Sequence, residues 1–224
     1  MPFDHHAYAE RNPGWHALDA SAKAAGLDAV WADLSVDRVV DVGCGTGHVS
    51  AALRALRSAR GQTPLSWACW DPVDLGPSPD PAIGRQVGDW FSSVDGANLV
   101  LLVDVIEHVP DPEALLRATA ARSTYLLLRV PLELSVWDVL RPKRRLAARE
   151  QYGHRFAWDL PAVLDLVAAA GWIVLRRRYD RVPPRLETVP QKLVDVIRRV
   201  PNDPVVRWLG GWSVVMLMER NRPG

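Results

Sequence analysis

The stretch VVDVGCGTGHVS, residues 39–50, decides the fold of this protein. It begins with β-branched residues, which favour a buried strand, and continues into three alternating glycines, Gly43, Gly45 and Gly47. Residues 48–61 then show the apolar spacing of a helix that ends at a glycine. Glycines at such a turn let the backbone approach a ligand closely, because they carry no side chain. The stretch therefore predicts a strand, a ligand-binding turn and a helix.

The alternation of strands and helices continues along the rest of the chain. Strands are predicted at 37–43, 65–71, 98–104, 124–131, 172–180 and 212–220, and helices at 16–33, 48–61, 111–122, 159–171 and 186–200. Such an alternation predicts a mainly parallel sheet with right-handed crossovers. Ligands bind such sheets at the carboxyl ends of the strands, which is where the glycine turn lies.

The composition is typical of a globular protein with one α/β domain. The chain has 224 residues, of which 48% are hydrophobic, so one α/β domain with a sizeable core is expected. A formal net charge of +1 gives no basic footprint for nucleic acid. The two cysteines lack metal or disulfide spacing, and the sequence shows no signal peptide and no apolar run long enough for a membrane span. We therefore expect a cytoplasmic protein, with its oligomeric state open.

Arginines form two local clusters despite the balanced net charge. One comprises Arg141, Arg144 and Arg145, and the other Arg176, Arg177, Arg178 and Arg181. A solvated face is the simplest interpretation. The alternative is a basic rim that receives an anionic substrate.

The glycine pattern differs from that of dinucleotide-binding proteins. Their fingerprint is Gly-x-Gly-x-x-Gly, whereas this chain has Gly-x-Gly-x-Gly and places His48 at the third glycine position. Acidic residues support a nucleoside ligand nevertheless. Asp71 closes the second strand, where a carboxylate can bind both ribose hydroxyls, and Asp89 lies where it can accept from an adenine amino group.

Taken together, the segments VVDVGCGTG, CWD, VGDW and LVLLVDVIEHVPDPEALL resemble the class I S-adenosylmethionine-dependent methyltransferases. The resemblance covers residues 37–180. It implies a Rossmann-like α/β fold: a seven-stranded, mostly parallel sheet flanked by helices, with the last strand antiparallel in a hairpin. It also implies S-adenosylmethionine as cofactor and S-adenosylhomocysteine as product. Residues 1–36 are expected to form an N-terminal helical lid on a domain spanning 37–224, with acceptor-site insertions near 132–158 and 184–211.

The resemblance also implies roles for individual residues. The glycines would pass beneath the methionine part of the cofactor, Asp71 would hold the ribose, and Asp89 and Trp90 would frame the adenine. Asp41 would support the turn and the cofactor ammonium group, or only cap the loop; Asp89 can also be a turn residue and Trp90 a core residue. The implied cofactor-binding set is Asp41, Gly43, Cys44, Gly45, Gly47, Asp71, Asp89, Trp90 and Asp104.

Two histidines are candidate bases for methyl transfer to a hydroxyl group. Methyl transfer from a sulfonium needs alignment and dry surroundings, and a base only when the acceptor is a hydroxyl. His108 lies in DVIEHVP, near the methyl group in this family, and His154 lies in the 132–158 segment. Both are predicted to be catalytic, with no metal. The predicted acceptor is a small molecule, with a hydroxyl on a sugar, glycan or secondary metabolite preferred.

A different resemblance gives an alternative. Asp104, Glu107, His108 and His154, with HRFAWDLPAV, resemble the metal-binding set of small-RNA 3′-end 2′-O-methyltransferases, in which the position of Asp104 is a glutamate. Two carboxylates and two imidazoles can hold Mg²⁺ or Mn²⁺. The Asp-Val-x-Glu-His-Val pattern is also common in metal-free small-molecule methyltransferases. Methylation of RNA and a non-catalytic cofactor-binding protein therefore remain the alternatives.

Overall fold

The computed structural model describes residues 17–93, 96–140, 142–181 and 202–221. Seven strands form one sheet in the order β3-β2-β1-β4-β5-β7-β6. The strands are β1 (Arg38–Val42), β2 (Ser66–Asp71), β3 (Gly84–Val87), β4 (Ala97–Val103), β5 (Ser123–Leu132), β6 (Trp172–Arg181) and β7 (Trp212–Arg220). The helices are α1 (Ala20–Trp31), α2 (His48–Ala59), α3 (Pro112–Arg122), α4 (Val136–Val139), α5 (Pro142–Tyr152), α6 (Leu160–Ala169) and α7 (Asp203–Leu209).

Strand β1 is central to the parallel half of the sheet. It pairs in parallel with β2 on one side and with β4 on the other, and β4 pairs in parallel with β5. The carboxyl ends of these strands therefore meet at one edge, and the strand order reverses beside β1. This reversal opens the crevice in which α/β proteins bind ligands. The glycine turn lies at that crevice, as the sequence predicts.

The last two strands form an antiparallel hairpin. Strand β7 pairs antiparallel with β6 on one side and with β5 on the other, so it is inserted between them. Its first seven residues are buried, because both of its edges are hydrogen-bonded and both faces are covered. The predicted seven-stranded sheet with an antiparallel last strand is confirmed.

Helices cover both faces of the sheet. Buried side chains of α1 and α2, such as Leu27 and Leu53, pack in one apolar cluster against β1, β2 and β4. Side chains of α3 and α6, such as Leu116 and Val163, pack in a second cluster against β4, β5 and β7. Among the described residues, no helix is long and apolar enough to cross a membrane.

Several predicted elements match closely, and others were not foreseen. Helices α3 and α6 begin after the predicted Asp111 cap and after Asp159, whose carboxylates accept from the Ala114 and Ala162 amides. The short edge strand β3 and helices α4, α5 and α7 were not predicted. Residues 1–16 of the expected lid and the predicted helix at 186–200 lie outside the described residues.

A buried ion pair joins α1 to α2. The Arg57 guanidinium is 1% exposed, and it lies 3.4 Å from the Asp28 carboxylate and 4.5 Å from the ring centre of Trp31. Arg57 also donates to the Ala32 carbonyl at 2.6 Å. A buried cation needs such partners, because leaving water without them is very unfavourable. This contact therefore fixes α1 on the sheet.

Replacing Asp28 by asparagine tests that contact. Asp28→Asn keeps the shape of the side chain but leaves the Arg57 charge buried without its carboxylate, so we expect a loss of about 3 kcal/mol in the free energy of unfolding. Urea denaturation measures it. The matched control is Glu113→Gln, which breaks the exposed pair with Arg117 and should change stability by at most about 0.5 kcal/mol. Equal effects of the two variants would contradict a structural role for the buried pair.

Candidate functional site

The turn between β1 and α2 has a backbone that favours glycine. Gly43, Gly45 and Gly47 all have positive φ, at 75°, 57° and 80°. A Cβ atom at Gly43 would also lie 2.8 Å from Cγ2 of Val105, which is too close for an undisturbed contact. The three glycines therefore let this turn pass tightly beside the residue that follows Asp104.

The second strand holds the turn in place. The Gly43 amide donates to the Trp70 carbonyl at 2.8 Å, and the Gly45 amide donates to the Asp71 carboxylate at 2.8 Å. The other Asp71 oxygen accepts from the Val73 amide at 3.0 Å. Asp71 thus has a structural role in the turn, in addition to the ribose contact that the sequence predicts for it.

Asp41 lies beneath the turn and is buried. One carboxylate oxygen accepts from the Ser50 hydroxyl at 2.7 Å, and Ser50 in turn accepts from the Trp67 indole at 3.0 Å. The other oxygen, Oδ1, is buried with no hydrogen-bond partner among the described residues. Burial is the main cause that raises the pKa of Asp41 to about 7.

The residues predicted to frame an adenine lie after β3. The Asp89 carboxylate caps a short 3₁₀ turn, Trp90–Ser92, by accepting from the Phe91 amide and the Ser92 hydroxyl. The Trp90 ring is 1% exposed and packs in the core. Asp89 therefore acts as a turn residue and Trp90 as a core residue. Their predicted contacts with an adenine ring remain predictions.

Asp104 follows β4 with a positive φ of 56°, an unusual conformation for a residue other than glycine. Its carboxylate is ion-paired with Arg129 of β5 and lies 3.0 Å from Nζ of Lys23. Lys23 is on α1 and also pairs with Asp19 at 3.0 Å. The first turn of α1 therefore reaches the carboxyl edge of the sheet next to the glycine turn.

The loop before β3 lies beside the glycine turn, which includes Cys44. Cys44 is a buried free thiol that accepts from the Arg85 guanidinium at 3.7 Å. A Cβ atom at Gly47 would lie 3.5 Å from Pro79 and 3.6 Å from Ser78. The proline-rich loop thus forms one wall beside the turn.

The two predicted catalytic histidines lie together at the carboxyl edge. Their ring centres are 4.9 Å apart and the rings are nearly perpendicular. The Arg155 amide donates to the Glu107 carbonyl at 2.7 Å, which ties the segment carrying His154 to the segment carrying His108. The structure therefore brings together two residues that are far apart in sequence.

Glu107 completes this cluster. Its carboxylate is fully buried, and neither oxygen has a hydrogen-bond partner in the described part of the chain. Burial, followed by the nearby Asp104 carboxylate, raises the pKa of Glu107 well above its ordinary value. Ligand atoms of Glu107, His108 and His154 lie within 4.8 Å of one another and form a group able to hold a metal ion. Asp104, the fourth residue of the alternative set, is held by Lys23 and Arg129 instead.

One residue at this site was missed by sequence reasoning. The Glu133 carboxylate lies 2.6 Å from Nδ1 of His154. Glu133 is at the carboxyl end of β5, where the Glu133 amide donates to the Trp158 carbonyl at 3.0 Å. Only its position after a predicted strand, in VPLEL, could have drawn attention to it.

A family profile for methyltransferase domains matches residues 15–176, which is more than half of the sequence. The chain belongs to this family. It is an S-adenosylmethionine-dependent methyltransferase, as the resemblance implies. No curated protein matches the sequence significantly.

Solved structures share the fold of this methyltransferase at low sequence identity. The N-methyltransferase NodS from Bradyrhizobium japonicum, in complex with S-adenosylhomocysteine, is 10% identical with a TM-score of 0.62, over 97% of this chain and 98% of that chain. A putative methyltransferase from Haloferax volcanii, in complex with the Trm112 activator, is 15% identical with a TM-score of 0.60, over 98% and 96%. Magnesium protoporphyrin IX methyltransferase from Synechocystis with S-adenosylhomocysteine is 15% identical with a TM-score of 0.55, over 92% and 84%.

Arginines on β6 mostly have partners within the fold. Arg177 pairs with Asp203 at 2.9 Å, Arg178 pairs with Asp180 at 3.0 Å, and Arg176 donates to the Trp31 carbonyl. These contacts favour a structural role for the second arginine cluster. In the first cluster, Arg141 and the side chains at 144 and 145 lie outside the described residues.

Asp41→Asn tests the burial of the carboxyl group beneath the turn. Between about pH 4 and 7 the carboxyl is protonated in the folded protein and ionised in the unfolded chain, so folding stability falls as pH rises through this range. Asparagine has no such change. We compare the free energy of unfolding of Asp41→Asn with that of wild type at the same pH. This difference should rise in favour of Asp41→Asn by roughly 3 kcal/mol from pH 5 to pH 8. The slope should be about 1.4 kcal/mol per pH unit up to pH 7.

The measurement is urea denaturation of both proteins at the two pH values. Asp165→Asn, exposed on α6, is the matched control and should follow wild type at both. A difference between Asp41→Asn and wild type that does not change with pH would show that Asp41 is ionised in the folded state throughout.

Proposed function

We propose that this methyltransferase methylates a hydroxyl group of a small-molecule acceptor, with His154 as the base. The observation that carries the proposal is the arrangement of His154 between His108 and the Glu133 carboxylate, at the carboxyl edge of the sheet. A histidine held in this way suits proton transfer near neutral pH.

The residues beneath and beside the glycine turn fit the cofactor. Gly43 lets the turn pass close to Val105, and among the described residues the buried Oδ1 of Asp41 has no hydrogen-bond partner, which a cationic ligand group would provide. We infer that Gly43, Gly45 and Asp41 hold the methionine part and Asp71 the ribose. Asp89 and Asp104 complete the proposed cofactor contacts. When bound, S-adenosylmethionine supplies an electrophilic methyl group.

Asp71→Ala tests the cofactor assignment. Removing the carboxylate loses the proposed ribose contact and also the acceptor of the Gly45 amide, so we expect S-adenosylhomocysteine to bind at least tenfold more weakly, about 1.4 kcal/mol. Isothermal titration calorimetry measures the affinity. Asp165→Ala, exposed on α6 and away from the turn, is the control and should bind as wild type does. Equal affinities of the two variants would remove Asp71 from the cofactor site.

The chain's own groups account for the fate of the proton. A hydroxyl oxygen becomes a better nucleophile as its proton is withdrawn, and Nε2 of His154 is the proposed acceptor of that proton. His108 and Tyr152 flank the His154 ring, with ring centres 4.9 Å and 5.7 Å away. These rings reduce the access of water, which would otherwise compete for the base.

The acceptor is proposed to bind over the segment 132–158. This segment follows β5 at the carboxyl edge and carries His154. The preferred acceptor is a sugar, a glycan or a secondary metabolite. An anionic group on the acceptor belongs to the proposal, since Arg141, Arg144 and Arg145 concentrate positive charge in this segment.

The cluster also supports a second candidate, methyl transfer assisted by a divalent cation. The fully buried Glu107 carboxylate lacks hydrogen-bond partners within the described ranges, and a cation beside it would supply the missing partner. Carboxylate and imidazole groups suit Mg²⁺ or Mn²⁺. In that case His154 would bind the cation, and the cation would activate the acceptor hydroxyl.

His154→Ala tests the role of His154, and the metal dependence of the wild type separates the two candidates. With methyl-labelled S-adenosylmethionine and an extract of the source cell, label is expected in the small-molecule fraction. His154→Ala should label about 10²- to 10⁴-fold more slowly, because the base is lost. Its affinity for S-adenosylhomocysteine should be unchanged.

Asp165→Ala, exposed on α6 and outside this segment, is the control and should act as wild type does. Activity of the wild type that is lost with chelator and restored by Mn²⁺ would favour the second candidate over the base. Label in RNA would contradict the small-molecule acceptor, and no transfer of label at all would contradict methyl transfer.

A further inference from the structure

We propose that Glu133 is a positioning residue, which fixes the His154 ring with its proton on Nδ1 and so leaves Nε2 as the acceptor of the substrate proton. This inference rests on the proposed function of His154 and adds a residue to which the sequence analysis assigned no role. It starts from a single contact between two side chains that are 21 residues apart in sequence.

The chemistry of the contact determines the tautomer. The Glu133 carboxylate lies 2.6 Å from Nδ1 of His154, and an ionised carboxylate only accepts hydrogen bonds. With the carboxylate as acceptor, Nδ1 carries the proton that is donated. A neutral imidazole has one ring proton, so Nε2 is left with a lone pair.

Both partners of this contact are fixed by the backbone. The amides of Glu133 and Leu134 both donate to the Trp158 carbonyl, at 3.0 Å and 3.1 Å, and Leu132 forms a parallel bridge with Trp158. The segment that carries His154 is thus attached to the end of β5. The side chains are also largely shielded, with exposed fractions of 13% for His154 and 26% for Glu133. This contact therefore differs from a mobile surface ion pair.

Other contacts restrict rotation of the His154 ring. The His108 ring approaches from the segment after β4, and the Tyr152 ring approaches from the end of α5. The Arg155 and Phe156 amides donate to the Glu107 carbonyl at 2.7 Å and 3.3 Å, immediately after His154. With Nδ1 held by Glu133, these contacts leave Nε2 as the ring atom that can serve the reaction.

The proton balance of the proposed step is simple. The acceptor O–H bond breaks while the O–methyl bond forms, and the electrons of the broken methyl–sulfur bond stay on sulfur. The proton moves to Nε2 of His154. The resulting imidazolium keeps the Glu133 carboxylate as the acceptor of its Nδ1 hydrogen bond.

The test is the protonation state of each ring nitrogen, observed by nuclear magnetic resonance of the full chain labelled with ¹⁵N-histidine. The His154 signals are assigned by their loss in His154→Asn. In wild type at a pH where the ring is neutral, we expect the proton on Nδ1. In Glu133→Ala we expect it to move largely to Nε2, the form that free imidazole side chains prefer, whereas Glu133→Gln keeps an acceptor oxygen and should retain the Nδ1 form.

Glu113→Gln, an exposed acid on α3, is the matched control and should leave the His154 signals unchanged. A proton on Nε2 in wild type would overturn the proposal. So would an unchanged tautomer in folded Glu133→Ala, with folding verified by the remaining signals.

Kinetics give a second readout once the acceptor is known. Glu133→Ala should lower kcat about tenfold to hundredfold, as loss of a group that orients a functional histidine does, while the KM for the acceptor and the affinity for S-adenosylhomocysteine stay unchanged. Glu133→Gln should recover part of kcat. If wild type has the expected tautomer but Glu133→Ala has an unchanged kcat, the positioning role of Glu133 is overturned.

The two readouts separate this inference from the proposed function. If wild type transfers no methyl group, the proposed function fails, while the tautomer is still measured directly. If transfer occurs but the tautomer is wrong, only the role of Glu133 fails.

Discussion

The hydrogen bond from the Gly45 amide to the Asp71 carboxylate is the constraint on which the site depends. It joins the turn after β1 to the end of β2, and the Trp70 carbonyl reinforces it by accepting from the Gly43 amide. Strand β1 lies between β2 and β4. These hydrogen bonds therefore also set the distance between the turn and the residues after β4, including Val105. The proposed cofactor side and the proposed proton-accepting side of the site therefore lie along one edge of the sheet.

Much of this fold could be predicted from the sequence, because its central strands are largely apolar and several of its helices begin at side-chain caps. Strand β4 and the helix capped by Asp111 are examples of this agreement. Strand β3 was missed because it is four residues long, polar and at the sheet edge, and so lacks a periodic signal. The pairing of Glu133 with His154 was missed for another reason: it depends on how residues 154–158 attach to the end of β5, which no local pattern encodes.

Two buried acids mark the functional edge at the expense of stability. One carboxylate oxygen of Asp41 and both oxygens of Glu107 are buried without a hydrogen-bond donor in the described part of the chain. A sequence selected only for stability would replace such residues. The sequence motif indicates a role for Asp41. The lack of hydrogen-bond donors around the Glu107 carboxylate instead depends on how the segment after β4 packs against residues 154–156.

The position of β7 has a consequence for how the protein is made. Strand β7 is the last strand in the sequence, but it lies inside the sheet, between β5 and β6. During synthesis on the ribosome, the edge of β5 and the apolar side chains that β7 will cover stay open until residues 212–220 have emerged. The nascent chain therefore presents the leucine-rich strand β5 with one unpaired edge while the residues between 132 and 212 are made, and chaperones that bind extended apolar segments are expected to recognise it.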